Sequence, residues 1–262
     1  MRLAMRLTVI RSGSKGNCYV LHGGSEALMI EAGVPFSEVI GAVGPEVAGS
    51  IRTCLLTHEH QDHAKYATDV LDHGIRLWAT SETIGALKGR QSRVLKPSNF
   101  RLDQRSDDRD VPWEPVRTGG FLVLPFRTVH DAASPCGFII RHADFGTMLF
   151  ATDTKYVPAG CPGLSNILIE CNYEDGLLDR RTDIPASLKE RIRRSHQSLL
   201  NCEYSLGAVC SGQTVMVMLI HISEGDGDPE LFRDHIQKVV GPGTRVEVAE
   251  SGRTYELARA PF

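Results

Sequence analysis

The sequence has no cysteine pair at C-x-x-C spacing, no apolar stretch near the roughly 18 residues a membrane span needs, no internal repeat and no marked excess of either charge. Each absence closes off a class of protein. The seven cysteines, Cys18, Cys54, Cys136, Cys161, Cys171, Cys202 and Cys210, are odd in number and scattered, so neither a disulfide framework nor a cysteine-built zinc site is suggested. Single cysteines of this kind are ordinarily small buried apolar residues in a reducing compartment. Residues 1–7 are charged and run directly into a strand-like segment, without the apolar core and cleavage site of a signal peptide. A soluble cytoplasmic protein with no membrane partner is expected. The formal net charge of −3 gives no general attraction to a polyanion, so a nucleic acid would have to be met by a local basic patch.

What is present is a foldable chain of 262 residues, 42% hydrophobic, enough to bury a sizeable core. Residues 7–10, 18–21 and 27–30 read as short strands separated by turns at 12–17 and 23–24. Residues 35–43 read as a helix, 51–56 as a strand, 64–71 as a helix, 75–79 as a strand and 81–87 as a helix capped by Ser81. Residues 96–118 turn charged and irregular, the pattern of a mobile surface loop. Strand signals return at 121–129, 137–141, 148–151, 167–169 and 214–220. Residues 186–200 read as one long helix, 229–240 as a helix capped by Asp228, and 245–257 as a hairpin around Ser251-Gly252. Strand runs in both halves, each followed by helices, predict two packed sheets with helices outside, a four-layer α/β sandwich. No linker-like stretch divides residues 1–262, which are read as one domain.

Directly after the strand at 51–56 comes His58-x-His60-x-Asp62-His63, four potential metal ligands within six residues. Alternation puts His58 and His60 on one side of the chain. Asp62 and His63 follow at the turn into a helix, where the backbone can redirect them to a second position. Neutral imidazole and carboxylate are the ligands that zinc, manganese and iron accept. A lone histidine is ordinarily a satisfied core or surface residue. Three histidines and an aspartate at this spacing reverse that expectation.

The segment resembles the H-x-H-x-D-H signature of the metallo-β-lactamase superfamily, whose fold is an αββα sandwich. That family completes its site with a histidine after a later strand, an aspartate ending another, and a distal histidine. This chain offers His130, Asp153 and His221 at such places, while His22, His73, His142 and His235 match nothing. The resemblance implies two divalent ions, zinc or manganese: His58, His60 and His130 would hold the first, Asp62, His63 and His221 the second, with Asp153 bridging. A bridging carboxylate holds two ions roughly 3.5–4 Å apart, the spacing used for in-line attack on phosphorus by a hydroxide held between them. The family's true β-lactamases commonly carry cysteine at the position of Asp153, so lactam hydrolysis is disfavoured.

Further segments resemble the YycJ/WalJ-like branch of that superfamily. They are Ser12-Gly13-Ser14-Lys15-Gly16-Asn17, His130-Asp131-Ala132 with Pro135-Cys136-Gly137-Phe138, Thr152-Asp153-Thr154-Lys155-Tyr156 (Lys155 replacing glycine), Glu170-Cys171-Asn172-Tyr173-Glu174 and His221-Ile222-Ser223-Glu224. Together they cover nearly the whole chain. Members of the branch are regarded as 5′-to-3′ exonucleases on single-stranded DNA, so the resemblance implies a phosphodiesterase whose partner is single-stranded nucleic acid, DNA over RNA. Ser195-His196-Gln197-Ser198 stands where the branch has G-H-L-S. The resemblance gives His196 contact with the scissile phosphate and Glu170 the task of orienting it. Asp62, His196 and Glu170 are accordingly expected to be catalytic. One departure is Glu31, where the superfamily commonly has an aspartate behind the metal ligands.

Three features keep two readings each. Gly13, Gly16 and Asn17 could supply positive-φ turn positions, or the turn that holds Ser14 and Asn17 could bind phosphate through its backbone. Arg180-Arg181, then Lys189, Arg191, Arg193 and Arg194, could be a solvated helical face, or, with Arg193 and Arg194 foremost, could neutralise phosphates beside the scissile one. Phe36, Tyr66, Trp78 and Trp113 could stack on bases, but such aromatics are ordinarily core, and none is assigned. The rival functions are a thioester or lactone hydrolase of the same fold, and a non-catalytic scaffold binding metal or nucleic acid. Glu170 with His196 weighs against the first, and the full ligand set against the second.

Overall fold

A computed structural model describes residues 4–88, 115–157 and 163–259. Strands β1 (Arg6–Arg11), β2 (Cys18–Gly23) and β3 (Glu26–Ile30) form an antiparallel meander. Helices α1 (Phe36–Val43) and α2 (Pro45–Ser50) lead to β4 (Ile51–Leu55), and α3 (Gln61–Ala64) and α4 (Ala67–Asp72) lead to β5 (Arg76–Trp78) and α5 (Ser81–Lys88). A second meander runs through β6 (Val116–Thr118), β7 (Phe121–Arg127), β8 (Cys136–His142) and β9 (Gly146–Ala151). Then come β10 (Asn166–Glu170), α6 (Asp175–Arg180), α7 (Ala186–Ser195), α8 (Leu199–Val209), β11 (Met216–Ile220), α9 (Pro229–Val240), β12 (Arg245–Val248) and β13 (Thr254–Glu256).

Among the described residues these strands make two sheets, in the orders β13-β1-β2-β3-β4-β5 and β12-β11-β10-β9-β8-β7-β6. Strand alternation builds three cores from them. Met216, Met218 and Ile220 of β11 point between the sheets, onto the side chains that β1 and β2 turn inward, such as Leu7 and Tyr19. Val217 and Leu219, in between, pack outward under α8 and α9. On the first sheet Val20 and Met29 face α1, α2 and α4 in the same way. Strands buried on both faces read as continuous apolar runs, and each large side chain removed from water contributes about 1.5–3 kcal/mol. The result is the four-layer αββα sandwich.

Each sheet changes from antiparallel to parallel partway across, at β3–β4–β5 in one and β9–β10–β11–β12 in the other. Functional groups in such sheets gather beyond the carboxyl ends of the parallel strands. Here those ends are followed by Glu31, the 57–63 segment, Asp153 and His221.

Several sequence expectations are corrected. The helix expected over 186–200 stops at Ser195, and α8 begins at Leu199. Between them His196 is extended, Gln197 donates its N–H to Glu170 Oε2 and Ser198 caps α8. The helix expected over 64–71 is likewise two short helices, α3 and α4. The hairpin expected over 245–257 is a crossing between sheets: β12 pairs parallel with β11, and β13 antiparallel with β1. The turn itself forms, Arg253 N–H donating to the Glu250 carbonyl, but Gly252 N–H and the Arg253 carbonyl bond to Val9, so long-range pairing sends the two strands to different sheets. Residues 116–118 of the expected loop form β6, and its residues 96–114 lie outside the described residues, as does Trp113. Helices α2 and α6, six residues each, carry too short an apolar pattern to be read from sequence. No helix of the described residues is long and apolar enough to cross a membrane.

Candidate metal centre

Among the described residues three non-glycine residues adopt left-handed backbone, and all three stand just past parallel strands at this rim: Glu31 (φ 65°), Asp153 (φ 46°) and His221 (φ 54°). That conformation costs a side-chain-bearing residue roughly 1–2 kcal/mol, because Cβ crowds the carbonyl oxygen. The strand ends there, and the reversal turns each side chain back between the sheets.

The first sheet contributes the 57–63 segment, where His60 opens α3 and His63 ends in the core. The second sheet contributes His130 beyond β7, Asp153 beyond β9, Glu170 at the end of β10 and His221 beyond β11. His58, His60 and His130 bring one ring nitrogen each within 4.8 Å of one another, and so do the donor atoms of Asp62, His63 and His221. Asp153 lies between the two groups: Oδ2 is 2.6 Å from His63 Nε2 and 3.9 Å from His58 Nε2, while Oδ1 is 3.5 Å from His221 Nδ1. His60 Nδ1 faces His130 Nε2 at 3.1 Å, and Asp62 Oδ2 is 3.2 Å from both His63 Nε2 and His221 Nε2.

Three of the rings are anchored through their Nδ1. His130 Nδ1 donates to the Ser195 carbonyl (2.7 Å), His58 Nδ1 pairs with Thr57 Oγ1 (2.9 Å), and His221 Nδ1 lies 3.1 Å from Glu170 Oε1. Such bonds fix ring orientation and leave the opposite nitrogen as donor to a cation. His58 Nε2 and His63 Nδ1 are buried without a hydrogen-bond partner.

Electrostatics point the same way. Burial raises the Asp62 and Asp153 pKa values, but the surrounding histidines outweigh it and hold both carboxyls below their usual range. Burial opposes charge on His196 and His221, but Glu170 and Asp153 outweigh it, pushing His196 up to about 10 and, with Asp62, His221 to about 9. His63 is raised too, Asp153 and Glu31 overcoming burial, whereas burial depresses His58. A buried cluster that draws protons onto three histidines requires positive charge. A divalent cation satisfies the same requirement and displaces those protons as it binds. The donor set therefore fits divalent metal.

His196 is not among the two ligand trios. Its Nδ1 lies 2.8 Å from Glu170 Oε1 and 3.0 Å from Asp153 Oδ1, its Nε2 has no partner among the described residues, and its side chain stays 18% exposed. Glu170 is completely buried; Oε2 accepts from Thr154 N–H, and Oε1 is shared by His196 and His221. That second link, to His221, was not legible in the sequence.

The turn at 12–17 braces the site from behind. Asn17 is completely buried: its Oδ1 accepts from Gly13 N–H, its Nδ2 donates to the Gly13 carbonyl and lies 3.3 Å from Asp62 Oδ2, and its backbone N–H donates to the Asp62 carbonyl. Asn17 therefore braces Asp62 and has no surface open to solvent. Ser12 Oγ, missed in the sequence, accepts from His221 N–H, and Asn172 Nδ2 donates to the His221 carbonyl. Ser14 and Lys15 are exposed, and Lys15 pairs with Glu224. Glu31 Oε1 lies 3.5 Å from His63 Nδ1, so the longer acid still reaches its neighbour.

The basic stretch divides. Arg193 is enclosed by Asp175, Asp179 and Glu190, and Arg181 by Asp183 and Asp226. Arg194 is exposed and, among the described residues, spends only its Nε, on the Glu190 carbonyl. Arg191 donates its Nε to Asp131, the residue after His130, at 2.6 Å.

An αββα sandwich with paired histidine and aspartate clusters at one rim defines a metallo-β-lactamase-fold hydrolase. The chain belongs to the β-lactamase superfamily: the family described as Beta-lactamase superfamily domain matches residues 41–222. It is similar to Exodeoxyribonuclease YycJ of Bacillus anthracis, 25% identical over 249 residues (91% of this chain, 90% of the relative). Exodeoxyribonuclease WalJ of Streptococcus pneumoniae is also 25% identical, over 242 residues (87% and 86%). Among solved structures, the metallo-β-lactamase fold protein YhfI from Bacillus subtilis aligns with a TM-score of 0.70 at 18% identity, covering 97% of this chain and 99% of its own.

Proposed function

We propose that the chain acts as one domain, a cytoplasmic phosphodiesterase that degrades single-stranded nucleic acid, DNA in preference to RNA, from the 5′ end. His58, His60 and His130 would hold one divalent ion and Asp62, His63 and His221 a second, zinc or manganese, with Asp153 shared. When bound, the ions supply electrophilic charge to the phosphoryl oxygens and acidify water. The YycJ and WalJ relatives, exodeoxyribonucleases by name, support this substrate class.

The observation that carries the reading is His196 on Glu170. An imidazole anchored through Nδ1 on a buried carboxylate keeps its proton, and its open Nε2–H is directed away from that anchor. Beside the ligand cluster, that N–H would bind the scissile phosphate and then protonate the departing oxygen. A thioester or lactone needs no such cation. Asp62, the least buried carboxylate of the cluster, joins His196 and Glu170 in the catalytic set through its hold on the second ion. Ser14 and Arg194 remain exposed groups able to meet flanking phosphates.

The test is a metal-supplemented assay on 5′- and 3′-labelled single-stranded and duplex DNA and RNA, with thioester and nitrophenyl diester controls. Mononucleotides released progressively from the 5′ end of single-stranded DNA are the expected products. Turnover of thioester with no nucleic acid cleaved would refute the reading.

A further inference from the structure

The segment Val129-His130-Asp131 has a ligand-type histidine at its centre and a different surface on each flank. On one flank the backbone of Thr154 to Tyr156 is tied to it. Val129 N–H donates to Thr154 Oγ1 (3.0 Å), Lys155 N–H donates to the Val129 carbonyl (3.0 Å), and Thr154 Oγ1 donates to the Tyr156 carbonyl (2.8 Å). These bonds hold Val129 and Tyr156 beside the centre, one residue from His130 and three from Asp153. Both are open to solvent, Val129 40% and Tyr156 51% exposed, within three residues of His130 and the buried Asp153.

On the other flank Asp131 takes the Nε of Arg191, and the His130 ring is bonded to the end of the same helix at the Ser195 carbonyl. The two terminal nitrogens of Arg191 have no partner among the described residues, whereas Arg193 and Arg181 are each committed to several carboxylates. One charge-charge bond thus aims a guanidinium and leaves most of its donors unused.

We propose that residues 129–131 organise a nucleotide subsite beside the metal centre: Tyr156, backed by Val129, stacks on a base adjoining the scissile phosphate, and Arg191, aimed by Asp131, binds a neighbouring phosphate. This rests on the phosphodiesterase reading and specifies how it selects single strands. An aromatic face is available only to a base that has left its own stack, so duplex is excluded. Stacking accepts any base, and the arginine contact is indifferent to sequence.

The test compares labelled oligothymidylate with an equally long strand of abasic residues, on manganese-loaded full-length protein. Tyr156→Ala should raise KM for oligothymidylate about tenfold, the loss typical of one stacked base, with kcat nearly unchanged and the abasic strand unaffected. Tyr156→Trp should restore KM. Arg191→Ala should raise KM on both strands and flatten the log–log salt dependence of binding by about 0.7. Leu231→Ala, equally open on α9, should change neither. An equal effect of Tyr156→Ala on both strands, or none, overturns the stacking role, and an unchanged salt slope for Arg191→Ala overturns the phosphate contact. If wild-type protein cleaves neither strand, the hydrolytic reading fails separately. Fluorescence anisotropy on the same proteins then decides: weaker binding of oligothymidylate, but not of the abasic strand, by Tyr156→Ala sustains the subsite, and equal affinities remove it.

Discussion

His196 and His221 share one carboxylate oxygen, Glu170 Oε1, so the histidine proposed as proton donor is mechanically linked to one of the proposed metal ligands. This separates three substitutions. His196→Ala removes no member of the ligand trios and should leave bound metal unchanged while lowering nuclease kcat by about 10²–10⁴-fold. A nitrophenyl diester, whose leaving group needs little protonation, should lose less. Glu170→Gln should combine a smaller version of that loss with weaker metal binding, by about 10–100-fold, because His221 loses its orienting charge. Asp153→Ala, which removes the group between both trios, should abolish metal retention and activity together. Metal content by mass spectrometry, beside kinetics on both substrates, checks all three. An alanine at 196 that sheds metal would make that histidine a ligand.

Among the elements, the turn at 12–17 and the end of β3 meet in a contact that has no room for a side chain. A Cβ at Gly33 would overlap the Asp62 carbonyl oxygen and the backbone of Asn17. Gly33→Ala should displace Asp62, weaken metal binding, and destabilise the protein by about 1–3 kcal/mol, as overpacking does; chemical denaturation and metal titration measure the two effects. Helix α7 gives a different kind of prediction. Arg193→Glu would set a fourth carboxylate among Asp175, Asp179 and Glu190. It should therefore lower thermal stability while leaving the salt dependence of strand binding unchanged, whereas Arg194→Glu should alter the salt dependence and spare stability. The opposite pattern would return Arg193 to the substrate path.

In the whole molecule the candidate centre joins the two sheets. His58, His60, Asp62 and His63 follow a strand of the first, and His130, Asp153 and His221 follow strands of the second. Ions shared between them would clamp the sandwich at that rim. Removing metal with a chelator should lower Tm, and restoring zinc or manganese at about 100 times Kd should recover about 2.7 kcal/mol, a shift of roughly 5–10 °C for a chain of this size. Differential scanning calorimetry reads this directly. An unchanged Tm would mean that the rim is rigid without ions. The carboxyl-terminal strands tie the sheets at a second place, β12 in one and β13 in the other.

The sequence by itself determined the layers and most of the donor set. Apolar runs marked strands buried on both faces, and four ligands within six residues need no distant partner to be conspicuous. It also placed Asp228 as the cap of α9, whose carboxylate accepts from Glu230 and Leu231 N–H, because capping is a local bond. Tertiary structure alone decided the rest. The left-handed backbone of Asp153 and His221 lies just past strand ends, and the His221 N–H is held by Ser12, 209 residues away. The break at His196 exists because Glu170, 26 residues away, takes the Gln197 N–H and the imidazole. Asn17 reads as a turn residue, and its bonds to Asp62, 45 residues away, exist only in the folded chain. Arg191 and Arg193 are indistinguishable as letters, and only the carboxylates that the fold brings to each tell them apart. Local bonds can be read from neighbouring residues, but a side chain's final partner depends on which distant strand end arrives beside it.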